Sequence, residues 1–137
     1  MTDPTLRVVI LDSEALAKAG SNDRAMTHRL AAARDNSQRV VVPAVVAAEV
    51  ITGTTSDAGV YRVVRRLVTE PISFQIAARA GELRERAESV RRKKRDLTVD
   101  ALVAAVAIAQ APSVVLTADP DDLRLLTEGH DVRVIGL

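Results

Sequence analysis

Cysteine is absent from the chain, so disulfides, thiolate zinc sites and thiol nucleophiles are excluded. A chain without cysteine fits a cytoplasmic life. Histidine is nearly absent. His28 and His130 stand far apart in sequence, which leaves no helical pair of zinc-binding histidines and few ways to build a Ser-His-Asp triad. Tyr61 and Phe74 are the only aromatic residues, so Val, Ala, Leu and Ile must fill the interior. Aliphatic interiors of that kind suit parallel strands covered by helices. A long apolar run is missing as well: the longest, residues 101–109, is too short to span a bilayer. The opening Met1-Thr2-Asp3-Pro4 lacks the cationic and then apolar stretch of a signal peptide.

What is present suffices for one domain over residues 1–137. The chain is 47% hydrophobic, enough for a core, and its formal net charge is +1. Residues 7–11 and 39–42 are short apolar runs rich in β-branched residues, and they read as buried strands. Residues 114–117 and 132–135 read the same way. Between them the spacing predicts helices over 13–19, closed by Gly20, and over 23–36. Another runs from Pro43 to Thr52 and ends at Gly53. Ser56 or Asp57 can cap a helix reaching Thr69, with Val60, Val64, Leu67 and Val68 inward. Residues 71–74 read as an extended link, and Ile76, Ala80, Leu83, Ala87 and Val90 mark an amphipathic helix over 75–92. Thr98 is expected to cap a helix to Gln110, and a short helix covers 120–127. Strands alternating with helices imply an α/β domain with a mainly parallel sheet. In such sheets function gathers beyond the carboxyl ends of the strands.

Carboxylates fall at that edge. Asp12 follows Val8-Val9-Ile10-Leu11 directly, and Asp119 comes just after Val114-Val115-Leu116-Thr117-Ala118. Asp100 lies in the first turn of an almost wholly apolar helix, and Glu49 lies within Val45-Val46-Ala47-Ala48-Glu49-Val50-Ile51. Taken singly, Asp12 and Asp119 could be helix caps, Asp100 a favourable charge at a helix start and Glu49 a surface residue. Taken together they need a counter-charge, because buried carboxylates are costly and neighbouring ones repel. No obvious buried Lys or Arg stands near them in the sequence. A divalent cation supplies what is missing, and all-oxygen ligands favour Mg²⁺ or Mn²⁺ over zinc. Without these four acids the chain carries +5, compatible with a cationic surround for an anionic substrate. Cations cluster at Arg91-Arg92-Lys93-Lys94-Arg95 and at Arg62, Arg65 and Arg66. The first cluster is placed to meet phosphates beside Asp100; either could also be a solvated helix face.

These residues resemble the PIN-domain nucleases. Val9-Ile10-Leu11-Asp12-Ser13 is similar to the family's opening strand and first acid, and residues 43–50 to its acidic helix. Residues 100–107, Asp-Ala-Leu-Val-Ala-Ala-Val-Ala, are similar to the start of its most specific helix. Leu116-Thr117-Ala118-Asp119 with Asp122 looks like its closing acidic motif. The resemblance implies a three-layer α/β/α domain with about five mainly parallel strands, and Mg²⁺- or Mn²⁺-dependent cleavage of RNA. It implies that Asp12, Glu49, Asp100 and Asp119 are catalytic metal ligands, with Asp122 as a supporting acid. Thr117 would hydrogen-bond within the site. Asp96 lies outside it if Thr98 caps the helix, and is an accessory candidate only.

A free-standing domain of this length resembles the VapC toxins, which cleave cellular RNA (tRNA or rRNA), are restrained by a small VapB-type antitoxin, and are usually homodimers. The antitoxin is expected in a groove between the helices beginning at Pro43 and at Ser56. With so few aromatic residues, RNA recognition should rest on backbone charge, shape and arginine contacts. Tyr61 is expected in core or interface packing. Two other readings stand beside this one. A catalytically inactive PIN-like RNA-binding module would need no acids. A receiver-type signalling domain would need a second acid directly after Asp12 and a lysine near the last strand, and no lysine follows Lys94.

Overall fold

The computed structural model describes residues 6–91 and 95–137. Four of its strands are those the apolar runs indicate: β1 (Val8–Leu11), β2 (Val40–Pro43), β4 (Ser113–Thr117) and β5 (Val132–Gly136). A fifth, β3 (Val68–Glu70), lies where the spacing predicts the end of a helix. That helix, α4 (Ala58–Val64), stops early. Its last amides, Arg66 and Leu67, reach back only three residues, to Val63 and Val64, which tightens and ends the turn. Val68 and Thr69 then pair with Val41 and Val42. The free edge of β2 offers β-branched residues a full set of backbone partners, and this tertiary pairing overrides the helical period.

All pairings are parallel, in the order β3-β2-β1-β4-β5. β1 lies in the centre, with Val9 opposite Val40 and Leu11 opposite Leu116. The chain leaves β1 towards β2 and later returns to β4 on the other side. Right-handed crossovers therefore put the early helices on one face and the late ones on the other. Accordingly α1 (Ser13–Gly20) packs against α4, whereas α5 (Phe74–Glu88), α6 (Thr98–Ala109) and α7 (Pro120–Leu126) pack with one another. α2 (Arg24–Asp35) lies against α1, and α3 (Ala44–Val50) touches both α1 and α6. The expected three-layer α/β/α domain is thus present, and its sheet is wholly parallel.

The core is aliphatic. Ile10, Leu11, Val41, Val42 and Val115 in the strands and Val103 to Ala107 in α6 are buried. Tyr61 is half exposed and Phe74 is 88% exposed, so neither aromatic ring fills the interior. Tyr61 is therefore no core residue: it lies on the outward side of α4, while Val60 turns inward. α5 ends at Glu88, before the basic run begins. Of that run, Arg92, Lys93 and Lys94 lie outside the described residues.

Candidate active site

Between β1 and β4 the direction of the crossovers reverses, and the loops after these strands diverge. A cleft opens at such a switch point. The one here holds about 460 Å³ and is lined by Asp12, Ser13, Glu49, Asp96, Asp100 and Asp119, with Arg95 at its mouth. Four acids that the sequence scatters over more than a hundred positions share one wall-to-wall space.

Each is fixed by its element. Asp12 caps α1, accepting the Ala15 N–H at 2.9 Å, and its other oxygen accepts the Ala118 N–H at 3.2 Å. It thus does the work of a cap and also ties the β1 and β4 loops together. Asp12 is buried, and burial pushes its carboxyl up, partly offset by the Thr117 hydroxyl and the two N–H groups. Asp119 is not a side-chain cap: it precedes α7, and only its backbone carbonyl, accepting the Leu123 N–H at 3.1 Å, bonds to that helix. Its N–H donates to the Thr117 hydroxyl at 2.9 Å, so Thr117 does serve the site, by setting the turn that aims Asp119. Glu49 reaches the cleft because α3 spans the gap between α1 and α6, and the Ser13 hydroxyl donates to it. Asp100 lies in the first turn of α6 and is pushed up to about 6. Burial is the main cause; Asp119, Asp122 and Asp12 add to it, and Arg95 opposes it.

Sequence reasoning counted Arg95 only within a run of phosphate-facing cations; the structure pairs it with the acids themselves. One guanidinium nitrogen donates to Asp100 at 2.8 Å and to Asp119 at 3.0 Å, and the other donates to Asp119 at 3.2 Å. Asp119 holds the guanidinium strongly protonated. Its place five residues before Asp100 was visible in the sequence, but a run of five cations gives no sign of which one turns inward. Asp96 also lines the cleft. Contrary to expectation, Asp96 rather than Thr98 supplies the side chain at the start of α6, accepting the Thr98 N–H at 3.0 Å and its hydroxyl at 2.7 Å. An aspartate accepts from the amide two residues on more readily than a threonine can. Those bonds hold the Asp96 carboxyl below its ordinary range. Asp122 stands apart from the cleft wall and pairs with Arg91 at 3.0 Å, both side chains largely buried.

The chain matches the PIN domain family over residues 9–127. It belongs to that family. PIN domains are generally nucleases and typically use divalent metals. No curated protein matches this PIN domain by sequence. Among solved structures it is similar to a chain of VapBC2 from Rickettsia felis bound to a DNA fragment from their promoter (16% identity, TM-score 0.76, covering 95% of this chain and 98% of that one). It is also similar to a chain of DNA-bound VapBC from Salmonella typhimurium (18%, 0.68, 96% and 98%). A third is in FitAcB from Neisseria gonorrhoeae (18%, 0.62, 94% and 97%).

The donor set of this PIN domain suits a hard divalent cation in chemistry: Asp12, Glu49, Asp100 and Asp119, with Glu14 and Asp96 also in the lining, and no sulfur or imidazole there. It suits one in charge too, since the acids raise one another's affinity for a positive partner. As the side chains stand, no three Asp, Glu or His residues among those described form a closed ion cage, and Arg95 spans two of the acids.

A second cleft, about 550 Å³, lies between α2 and α4 above β2 and β3. Leu30, Val40, Val63 and Leu67 line it, Arg34, Arg39, Arg62 and Arg66 stand around it, and no carboxylate lines it. It is larger than the acidic cleft but carries no group able to move a proton or hold a cation. Among the described residues no helix is long and apolar enough to cross a membrane.

Proposed function

We propose that this PIN domain is a Mg²⁺- or Mn²⁺-dependent endoribonuclease, the toxin of a VapBC-type toxin–antitoxin pair, cleaving cellular RNA and so inhibiting translation. The observation that carries the reading is the convergence of Asp12, Glu49, Asp100 and Asp119 on one cleft at the switch point of the sheet. The VapBC and FitAcB likenesses support the toxin assignment.

Asp12, Glu49, Asp100 and Asp119 would hold the cation, which supplies charge for a scissile phosphate and makes water a better nucleophile. Asp12 is the pre-set member, its two oxygens fixed by the Ala15 and Ala118 N–H groups. Ser13 orients Glu49, and Thr117 sets the backbone of Asp119. Asp122 acts one step removed, through Arg91, which also donates to the Arg95 carbonyl. Cations of the basic run bind the RNA backbone, and phosphate contacts position the substrate without reading its sequence.

A VapB-type antitoxin is the partner. The apolar groove lies between α2 and α4 rather than between α3 and α4, because the segment after Val64 leaves the helix to become β3. Its apolar floor and arginine rim fit a partner segment that is apolar with acidic flanks. The exposed Tyr61 and Phe74 are available for a homodimer contact.

The test is cleavage of RNA by purified protein with added Mg²⁺ or Mn²⁺. Asp12→Asn, Asp100→Asn and Asp119→Asn should each lower cleavage about a hundredfold or more while circular dichroism shows the fold intact. Full activity in folded Asp100→Asn would sink the assignment.

A further inference from the structure

We infer that Arg95 is a built-in competitor of the divalent cation: its guanidinium neutralises Asp100 and Asp119 and must leave them for the cation to bind. The inference rests on the metal-site reading above and adds a residue of this chain that sets the cation affinity of that site.

Three observations carry it. First, the same nitrogen of Arg95 donates to both Asp100 and Asp119, so the guanidinium stands between the two carboxylates that one cation would share. Two positive partners cannot occupy one gap between two anions, and the arginine contacts are charge-assisted hydrogen bonds, about twice as strong as neutral ones. Second, the Arg95 side chain is 48% exposed whereas those of Asp100 and Asp119 are 12% and 38%. Its outer side already meets water, so it can swing out without dragging an apolar group into solvent. The carboxylates stay behind in the cleft. Third, the backbone beside it is tethered. Arg91, largely buried, pairs with Asp122 and also donates to the Arg95 carbonyl at 3.0 Å. The start of Arg95 is thereby held near the mouth whether its head is in or out, so release and return are short local moves.

Competition of this kind lowers apparent cation affinity by the free energy of the displaced contacts. The arginine also holds the cleft together when no cation does, since the four acids would otherwise repel. Both effects have the same origin and opposite signs: removing the arginine should tighten cation binding and loosen the cation-free fold.

The experiment is calorimetric titration of Mn²⁺ into the full chain at fixed ionic strength. It compares wild type with Arg95→Gln, Arg95→Lys, Asp100→Asn and Arg124→Gln. Arg124 pairs with the exposed Asp121 on α7, so its loss controls for net charge alone. Arg95→Gln should bind Mn²⁺ about tenfold tighter than wild type. Arg95→Lys should lie between them, because an ammonium lacks the planar fork that holds two carboxylates at once; it also serves if the glutamine variant folds poorly. Arg124→Gln should match wild type, and Asp100→Asn should bind weakly. Thermal unfolding gives a second readout: cation-free Arg95→Gln should melt below wild type and overtake it as Mn²⁺ is added. Equal Mn²⁺ affinity in wild type and both Arg95 variants, with Asp100→Asn still impaired, overturns the competitor role and leaves the metal-site reading standing. Binding that ignores Asp100→Asn overturns both.

Discussion

Asp12, Asp57 and Asp100 are largely shielded from water; burial raises a carboxyl, and the partners decide whether that rise survives. Asp57 accepts from the Thr52 N–H at 3.0 Å, the Gly53 N–H at 2.7 Å and the Thr52 hydroxyl at 2.9 Å, and its carboxyl is held low. It knots a loop and makes no side-chain cap bond to α4. Asp12 and Asp100 face other acids and are pushed up. For Asp100 the sign has a measurable consequence. A carboxyl near 6 in the fold and near 3.8 when unfolded takes up a proton on folding between those values. Its contribution therefore favours the fold at low pH and is lost as pH rises through about 6. Asn stays neutral throughout. Without divalent cation, Asp100→Asn should be more stable than wild type above pH 6, on the order of 2–3 kcal/mol. The difference should shrink towards zero near pH 4. Urea unfolding of both proteins across pH 4–8 checks this, and a difference that grows on acidification would contradict it. The same protonation predicts that cation-dependent cleavage falls below about pH 6, because the ligand must first lose its proton.

Elements in this domain are positioned by close approaches that the sequence marks only as small residues. Gly20 is the last residue of α1, as its place in the sequence suggests. What needs glycine there is α4: a Cβ on Gly59 would lie 2.0 Å from the Gly20 carbonyl oxygen, and one on Gly20 would lie 2.8 Å from a Val60 methyl. The two helices touch backbone to backbone, and α1 carries Ser13 while its cap is Asp12. Gly59→Ala should therefore destabilise the protein by about 2 kcal/mol or more, since neither backbone can give way cheaply. Gly81 in α5 is the contrast. Nothing lies within 4 Å of its missing Cβ, so Gly81→Ala should stabilise by about 0.5–1 kcal/mol through helix propensity. Opposite shifts in urea midpoint for the two variants are expected; equal ones would mean that the α1–α4 contact is looser than described.

For the whole molecule, the proposed function gives the two clefts separate tasks. The acidic one lies at the switch point; the arginine-rimmed one lies over β2 and β3, on the far side of α1. A partner that fills the second reaches the first only by extending along the surface. Substituting Arg34 and Arg66 with Ser should thus weaken antitoxin binding about tenfold or more, measured by titration of the co-expressed partner. Cleavage by the free protein should change little, since neither arginine lines the acidic cleft. Unchanged partner binding would move the docking surface elsewhere.

Periodicity and composition by themselves determined the α/β class, the parallel sheet and four of its five strands, because apolar runs and helical spacing follow from local geometry. They also placed Asp12 and Asp119 at strand ends, Asp100 at a helix start and Glu49 within an apolar helix, and order and spacing pointed to the PIN family. β3 was decided by pairing: residues with a helical period became a strand because β2 had an open edge. The start of α6 was decided by which oxygen reached Thr98, and that was Asp96. The counter-charge to the acids was settled by where Arg95 lies in the fold, against Asp100 and Asp119. The start of α6 is a local contest between two neighbouring side chains, whereas β3 and the Arg95–Asp119 pair depend on which groups meet across the fold, and local sequence carries no record of distance between residues far apart in the chain.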